Sequence, residues 1–281
     1  MIEFKNVVKK YGGTLAIGGM TLTLAKDGIY CLLGRNGAGK TTFMKLLAGH
    51  IPATEGEIAV CGKAVSPGRM PEDVAFIEND AVHFGMRISA LVETAAELQD
   101  DFDIGFARDM MKRLELNPDK KWKHLSFGMK TMLTTIMTLA NNSKVILLDE
   151  PALGFDAIMR DQFNTLLLES YAAHPRIIIV STHLIDEIAK VTERLIVIDQ
   201  GSLLLETGIE EIDEKAYTLS GQSSAVLPLI ENLNCIGRTT MGSVMAAHIY
   251  DGRIGPPEGV AIDRLSLQDF FINIVGGKNN E

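Results

Sequence analysis

The segment Gly34-Arg35-Asn36-Gly37-Ala38-Gly39-Lys40-Thr41 follows directly on the apolar run Ile29-Tyr30-Cys31-Leu32-Leu33 and satisfies the pattern G-x-x-x-x-G-K-[ST]. That order of residue types suits a nucleoside triphosphate. The glycines let backbone N–H groups turn inward around phosphate oxygens, the helix that follows offers its positive N-terminal end, and Lys40 reaches the outer phosphates. The Thr41 hydroxyl is then a ligand for Mg²⁺. Gly34, Asn36, Gly37, Ala38, Gly39 and Thr42 complete the nucleotide-binding candidates from this loop. The plain alternative is a glycine-rich turn with no ligand, and a strand before it with a helix after it weighs against that.

A second site lies where four apolar residues, Val145 to Leu148, run into Asp149-Glu150. A buried strand ending in two carboxylates near a phosphate loop has a chemical use: Asp149 supports the Mg²⁺ and Glu150 polarises the water that attacks the γ-phosphate. An ordinary acidic surface turn is the competing reading. His183 follows the run Ile177-Ile178-Ile179-Val180-Ser181-Thr182, which puts it at a strand's carboxyl end, where ligands gather in open α/β sheets. A lone histidine there is either structural or a sensor of the γ-phosphate. In Leu125-Ser126-Phe127-Gly128-Met129-Lys130, Ser126 precedes a stretch that reads as helix to Leu139; it is an N-cap, and the capped end is also an anion site.

The elements that position these groups follow from the hydrophobic pattern. Short β-branched runs at 29–33, 74–77, 145–148, 177–181 and 195–199, separated by helix-compatible segments, predict an α/β protein with a mostly parallel sheet. Ile2–Val7 and Met20–Leu24 alternate apolar and polar residues, as half-buried antiparallel strands do. From about 80 to 142 helical spacing of Met, Leu and Ala predicts a helical insert, so residues 1–215 read as one domain with that subdomain inside it. Residues 216–281 read as a small α+β appendage, with strands at 216–219 and 244–250, turns at Asp251-Gly252 and Pro256-Pro257, a helix near 267–275 and a frayed tail from Gly276.

Composition sets the surroundings. With 281 residues, 46% of them apolar, the chain can bury a large core. Its apolar runs are far shorter than the ~20 residues of a spanning helix, and Met1-Ile2-Glu3-Phe4-Lys5 is no secretory signal, so a cytoplasmic location is expected. Cys31, Cys61 and Cys235 show neither disulfide nor metal-ligand spacing and read as reduced core thiols. A net charge of −9 without a basic run argues against nucleic acid as a partner.

Taken in this order, the motifs resemble the ATPase subunits of ATP-binding cassette (ABC) transporters over about residues 1–210. The resemblance implies a P-loop NTPase (RecA-like) core, to which the antiparallel β subdomain, the helical insert and the C-terminal α+β appendage read above belong as further parts of the fold, and ATP with Mg²⁺ as ligands. By resemblance, 34–42 is the Walker A loop and 145–150 the Walker B strand with its glutamate base. Pro151–Asp156 is the D-loop, His183 the switch histidine and Tyr11 the aromatic that stacks on adenine. Leu125–Met129 stands where the family has Leu-Ser-Gly-Gly-Gln, keeping Ser126 and Gly128 for phosphate but carrying Phe127 and Met129. Asn79 takes the place of the Q-loop glutamine and is the third metal-site candidate beside Thr41 and Asp149.

The family likeness further implies a head-to-tail pair of ATPase subunits, the same or closely related, in which Ser126 of one closes over the nucleotide of the other. It implies a permease encoded apart, whose helices would dock on the helical insert with residues 83–86 as part of that dock, and a peripheral position on the inner face of the cell membrane. The ending Leu265-Ser266-Leu267-Gln268-Asp269-Phe270-Phe271 resembles ATPases of ABC-2-type exporters, and the Leu-Ser-x-Gly-Met-Lys variant points to exporters of antimicrobial or amphipathic peptides. The other readings are a soluble ABC ATPase with a role outside transport, and a regulatory nucleotide-binding subunit with weak hydrolysis.

Overall fold

The computed structural model describes residues 1–77, 85–252, 255 and 258–276. The alternating first segment folds as an antiparallel hairpin, β1 (Ile2–Tyr11) with β2 (Thr14–Leu24). Next, β3 (Gly28–Leu33), buried at every position, leads through the phosphate loop into α1 (Lys40–Leu47). The chain then returns as β4 (Glu55–Val60) and β5 (Lys63–Ala64), which complete a four-stranded sheet in the order β2-β1-β4-β5.

After β6 (Val74–Ile77) come the helices of the insert, α2 (Ile88–Leu98), α3 (Ile104–Arg113) and α4 (Phe127–Ala140). There follow β7 (Val145–Asp149), α5 (Ala157–Ala173), β8 (Ile177–Ser181), the short α6 (Ile185–Ile188), β9 (Arg194–Asp199), β10 (Ser202–Gly208) and α7 (Ile209–Lys215). The central sheet has the order β10-β9-β3-β8-β7-β6. Only the β10–β9 pairing in it is antiparallel.

These central strands are continuous apolar runs because both faces of the sheet are covered. The two-residue period still sorts their side chains. Ile29, Cys31, Leu33, Ile146, Leu148, Ile178 and Val180 enter the core shared with the helical insert. Tyr30, Leu32, Leu147 and Ile179 enter the core beneath α1 and the first sheet.

Beyond α7 the chain forms β11 (Ala216–Gln222), α8 (Ser223–Ile230), β12 (Cys235–Met241), β13 (Val244–Tyr250), β14 (Val260–Arg264) and α9 (Leu267–Gly276). Here the sheet is antiparallel, in the order β12-β13-β11-β14, with a small core of Leu219, Val226, Met245, Ala247 and Ile249. In α9, Phe270 and Val275 belong instead to the large core that holds Ile185, Ile188 and Val191, so the last helix fastens this sheet to the large α/β core.

Two expectations change. Cys61 and Cys235 are not core thiols: both are only half-buried, and Cys61 sits at φ 50 in the turn before β5. Three elements of the last segment, α8, β12 and β14, were not legible, since each is short and α8 carries Pro228 inside it. The Pro256-Pro257 turn and residues 277–281 lie outside the described residues.

Arg176, the residue before β8, is 3% exposed and among the described residues has no carboxylate as a hydrogen-bond partner. Its guanidinium donates to the carbonyls of Leu139 and Asn141, each at 2.8 Å, and to Ser170 Oγ at 2.5 Å. It thus caps the C-terminal end of α4, where unpaired carbonyls and the negative end of the helix dipole favour a cation. Burial lowers its pKa to about 10, still protonated at neutral pH. Arg176→Ala leaves those carbonyls buried without donors and is expected to destabilise the fold by about 3 kcal/mol, read as a lower urea midpoint at unchanged slope.

Candidate functional site: a phosphate cradle at the carboxyl ends of three strands

The candidate residues converge because β3, β8 and β7 are neighbours and end together. Leu32 is in register with Ser181, and Ser181 with Asp149, so the loops that leave these strands emerge side by side. Adjacent strands lie about 4.8 Å apart, which brings the phosphate loop and the carboxylates within reach of one small ligand.

Gly39, the residue before α1, has φ +108, and a Cβ there would lie 2.8 Å from the Ala16 carbonyl oxygen. No L side chain fits both conditions. Gly39 also leaves the first turn of α1 without a side-chain cap, so its N–H groups remain available to an anion. Asn36 and Gly37 are exposed at the rim, and Ala38 is buried. Lys40 Nζ arches back over the loop and donates to the carbonyl of Gly34 at 2.8 Å and, more weakly, to that of Arg35 at 3.4 Å. Thr42 is half-buried in the first turn.

Thr41 Oγ1 donates to Asp149 Oδ2 at 2.7 Å, and Ser181 Oγ donates to Asp149 Oδ1. Both carboxylate oxygens of this buried residue are therefore held in place. A hydroxyl beside an anchored carboxylate is the hard oxygen donor set that Mg²⁺ accepts, so these residues fit the ion. Ser181 was not singled out from the sequence. Its signal was a hydroxyl residue closing a run of four β-branched residues that had no apolar use for it.

Glu150 follows the strand at φ 49, a left-handed conformation uncommon for a non-glycine residue. Its N–H donates to the carbonyl and the hydroxyl of Ser181, each at 3.1 Å. Those bonds stabilise the strained turn and aim the carboxylate out of the sheet. There Glu150 Oε2 meets His183 Nδ1 at 2.9 Å, with the histidine more than half exposed. Cys31 lies close enough to feel Glu150 and Lys40, yet burial pushes its thiol far above the usual range and Glu150 raises it further, with Lys40 opposing. It is inert packing in this site.

Other candidates lie apart from this cluster. Ser126 caps α4, accepting from Met129 N–H at 3.2 Å, and Gly128 is buried in the first turn beside Met159. Among the described residues no hydrogen bond joins Ser126 to residues 34–42. Tyr11 ends β1, 47% exposed as a residue, with Lys9 Nζ 5.0 Å from its ring centroid. Asn79, together with His83 and Phe84 of the expected dock, lies outside the described residues.

A glycine loop between a buried parallel strand and a helix, with a threonine bonded to the aspartate of a neighbouring strand, defines a P-loop nucleoside triphosphatase with an α/β core. Residues 17–153 match the ABC transporter family. The Nod factor export ATP-binding protein I of Burkholderia orbicola (strain AU 1054) is 34% identical over 223 residues, 73% of this chain and 70% of the relative. The taurine import ATP-binding protein TauB of Escherichia coli (strain K12) is 30% identical over 213 residues, 72% and 80% of the two chains. A solved dimeric bacterial ABC transporter cassette shares the fold, with a TM-score of 0.64 at 22% identity over 74% of this chain and 99% of that one. The chain belongs to the ABC transporter family as an ATP-binding subunit, an ATPase that uses ATP with Mg²⁺. One of these relatives is named for export and the other for import, so membership alone sets neither cargo nor direction.

Proposed function

We propose that the chain is the motor of an exporter whose membrane part is a separate polypeptide, with amphipathic or antimicrobial peptides as cargo. The observation that carries the motor reading is the anchored network of Thr41, Asp149, Ser181, Glu150 and His183 beside the Lys40 loop. Export rests on the Leu-Ser-x-Gly-Met-Lys signature, the ABC-2-like ending and the export name of one relative.

In this reading Lys40 and the N–H groups of residues 36–42 would hold the phosphates, Tyr11 would stack on adenine, and Thr41, Asp149 and Asn79 would hold the metal. When bound, Mg²⁺ offsets charge on the phosphate oxygens. Glu150 takes a proton from the water whose oxygen forms the new bond to the γ-phosphorus, as the bond from that phosphorus to the ADP oxygen breaks. His183 orients the Glu150 carboxylate through Nδ1 and leaves its other ring nitrogen to the γ-phosphate. Ser126 and Gly128 act on a partner's nucleotide in a head-to-tail pair, either two copies or a copy and a close relative.

Among the described residues no helix is long and apolar enough to cross a membrane. Attachment to the inner face of the cell membrane through a permease is proposed accordingly, with residues 216–281 as an accessory domain. Affinity purification of the full chain from detergent-solubilised membranes tests this. A multi-span protein is expected to co-purify and to raise ATP turnover. Turnover indifferent to membranes, with salt-sensitive retention on DNA or ribosomes, would favour the soluble class instead.

A further inference from the structure

Phe127 is the residue by which this signature departs most from a glycine, and it is not spent on the core: the residue is 49% exposed. The ring lies against Gly154, in the turn between Glu150 and α5. A Cβ at Gly154 would stand 2.8 Å from Phe127 Cδ1, and its φ of +82 also excludes a side chain. The neighbouring Gly128 is close to the same turn, since its missing Cβ would lie 3.4 Å from the Gly154 carbonyl oxygen and 3.2 Å from Met159 Cε. The turn itself is braced, with Leu153 N–H donating to the Glu150 carbonyl at 3.2 Å and Phe155 N–H to the Ala152 carbonyl at 3.1 Å. Asp156 then caps α5 through Met159 N–H at 2.8 Å. From the ring of Phe127 to Glu150 is thus one contact and four residues of hydrogen-bonded turn.

We propose that Phe127 is a positioning residue that locks the Ser126–Gly128 end of α4 to the Gly154 turn, so that a nucleotide gripped by this signature is felt at the chain's own Glu150. The inference rests on the head-to-tail pairing proposed above. In that pairing the signature grips the partner's nucleotide, and the lock makes the two hydrolytic sites interdependent. Helix start residues need no aromatic ring, and alanine would serve α4 equally well. The ring and the missing side chain at 154 form a matched pair.

A double-mutant cycle tests this in the full chain, reading kcat, KM and the Hill coefficient for ATP. Phe127→Ala is expected to keep the KM within about twofold, lower kcat about fivefold and bring the Hill coefficient toward one, whereas Phe127→Leu keeps most of both. Gly154→Ala is expected to cost more kcat in the Phe127 background than in the Phe127→Ala background, because only the first contains the overlap. The pairing is read separately, by size-exclusion light scattering of Glu150→Gln with ATP. If the pair forms and the two losses are additive with an unchanged Hill coefficient, the lock is overturned and the pairing stands. If no ATP-dependent pair forms, both are overturned.

Discussion

Lys40→Ala is expected to remove ATP turnover, by roughly a thousandfold in kcat/KM, with the fold intact. The ammonium sits over the loop within bonding distance of two backbone carbonyls, poised to exchange them for phosphate oxygens. A charge-assisted bond to a phosphate is about twice as strong as a neutral one, and it strengthens as charge moves onto the leaving oxygens. Removing it therefore weakens both nucleotide binding and the transition state. Stability should hardly change, since among the described residues the Lys40 ammonium bonds within its own loop. Phosphate release and fluorescent-nucleotide titration are the measurements, with a thermal scan as control. Retained nucleotide affinity in a folded Lys40→Ala protein would contradict the placement of the phosphates.

Glu150→Gln should behave differently, and the contrast is diagnostic. The substitution keeps the size of the side chain and an acceptor for His183 Nδ1, and it leaves intact the backbone bonds from residue 150 to Ser181. It abolishes the proposed proton acceptor. General-base catalysis contributes about 10²–10⁴ to a rate, so a loss of about a thousandfold in kcat is expected with little change in the affinity for ATP. ATP then stays bound and unhydrolysed, so any pairing it supports becomes long-lived and measurable by light scattering. Undiminished turnover would remove Glu150 from the role of base. His183→Ala is expected to fall between wild type and Glu150→Gln, because it removes one partner of the carboxylate and leaves the carboxylate in place.

Much of this site was legible beforehand because its chemistry is written in contiguous segments. The phosphate loop, the strand that ends at Asp149 and the strand before His183 each carry their residues within a few positions, bounded by apolar runs whose length gives the strand. The C-terminal segment was less legible. Strand β14 takes its stability from pairing with β11, whose residues lie about 40 positions earlier, and β12, the hairpin partner of β13, shows no alternation of buried and exposed residues, so neither leaves a local period to read. The edge strand β10 was passed over for a similar reason: Ser202–Gly208 has no clean alternation, and its pairing with β9 contains a register shift. Cys61 follows the apolar residues Ile58, Ala59 and Val60, which suggests a buried position, but the chain turns there at positive φ and leaves it half-buried.

By itself the sequence determined the ligand class and the reaction. Glycine spacing, a lysine, a threonine and two carboxylates at strand ends restrict the chemistry however the strands are ordered. Only the tertiary structure decided which groups act on one another. Strand order puts Ser181 against Asp149 and Glu150, holds Thr41 to the same carboxylate and brings His183 to Glu150. It also seats the ring of Phe127 on Gly154, 27 positions away in a different element. Hydrogen bonds and steric overlap act over about 3 Å, and a separation of 27 to 108 residues along a chain says nothing about distance until the sheet has chosen its neighbours.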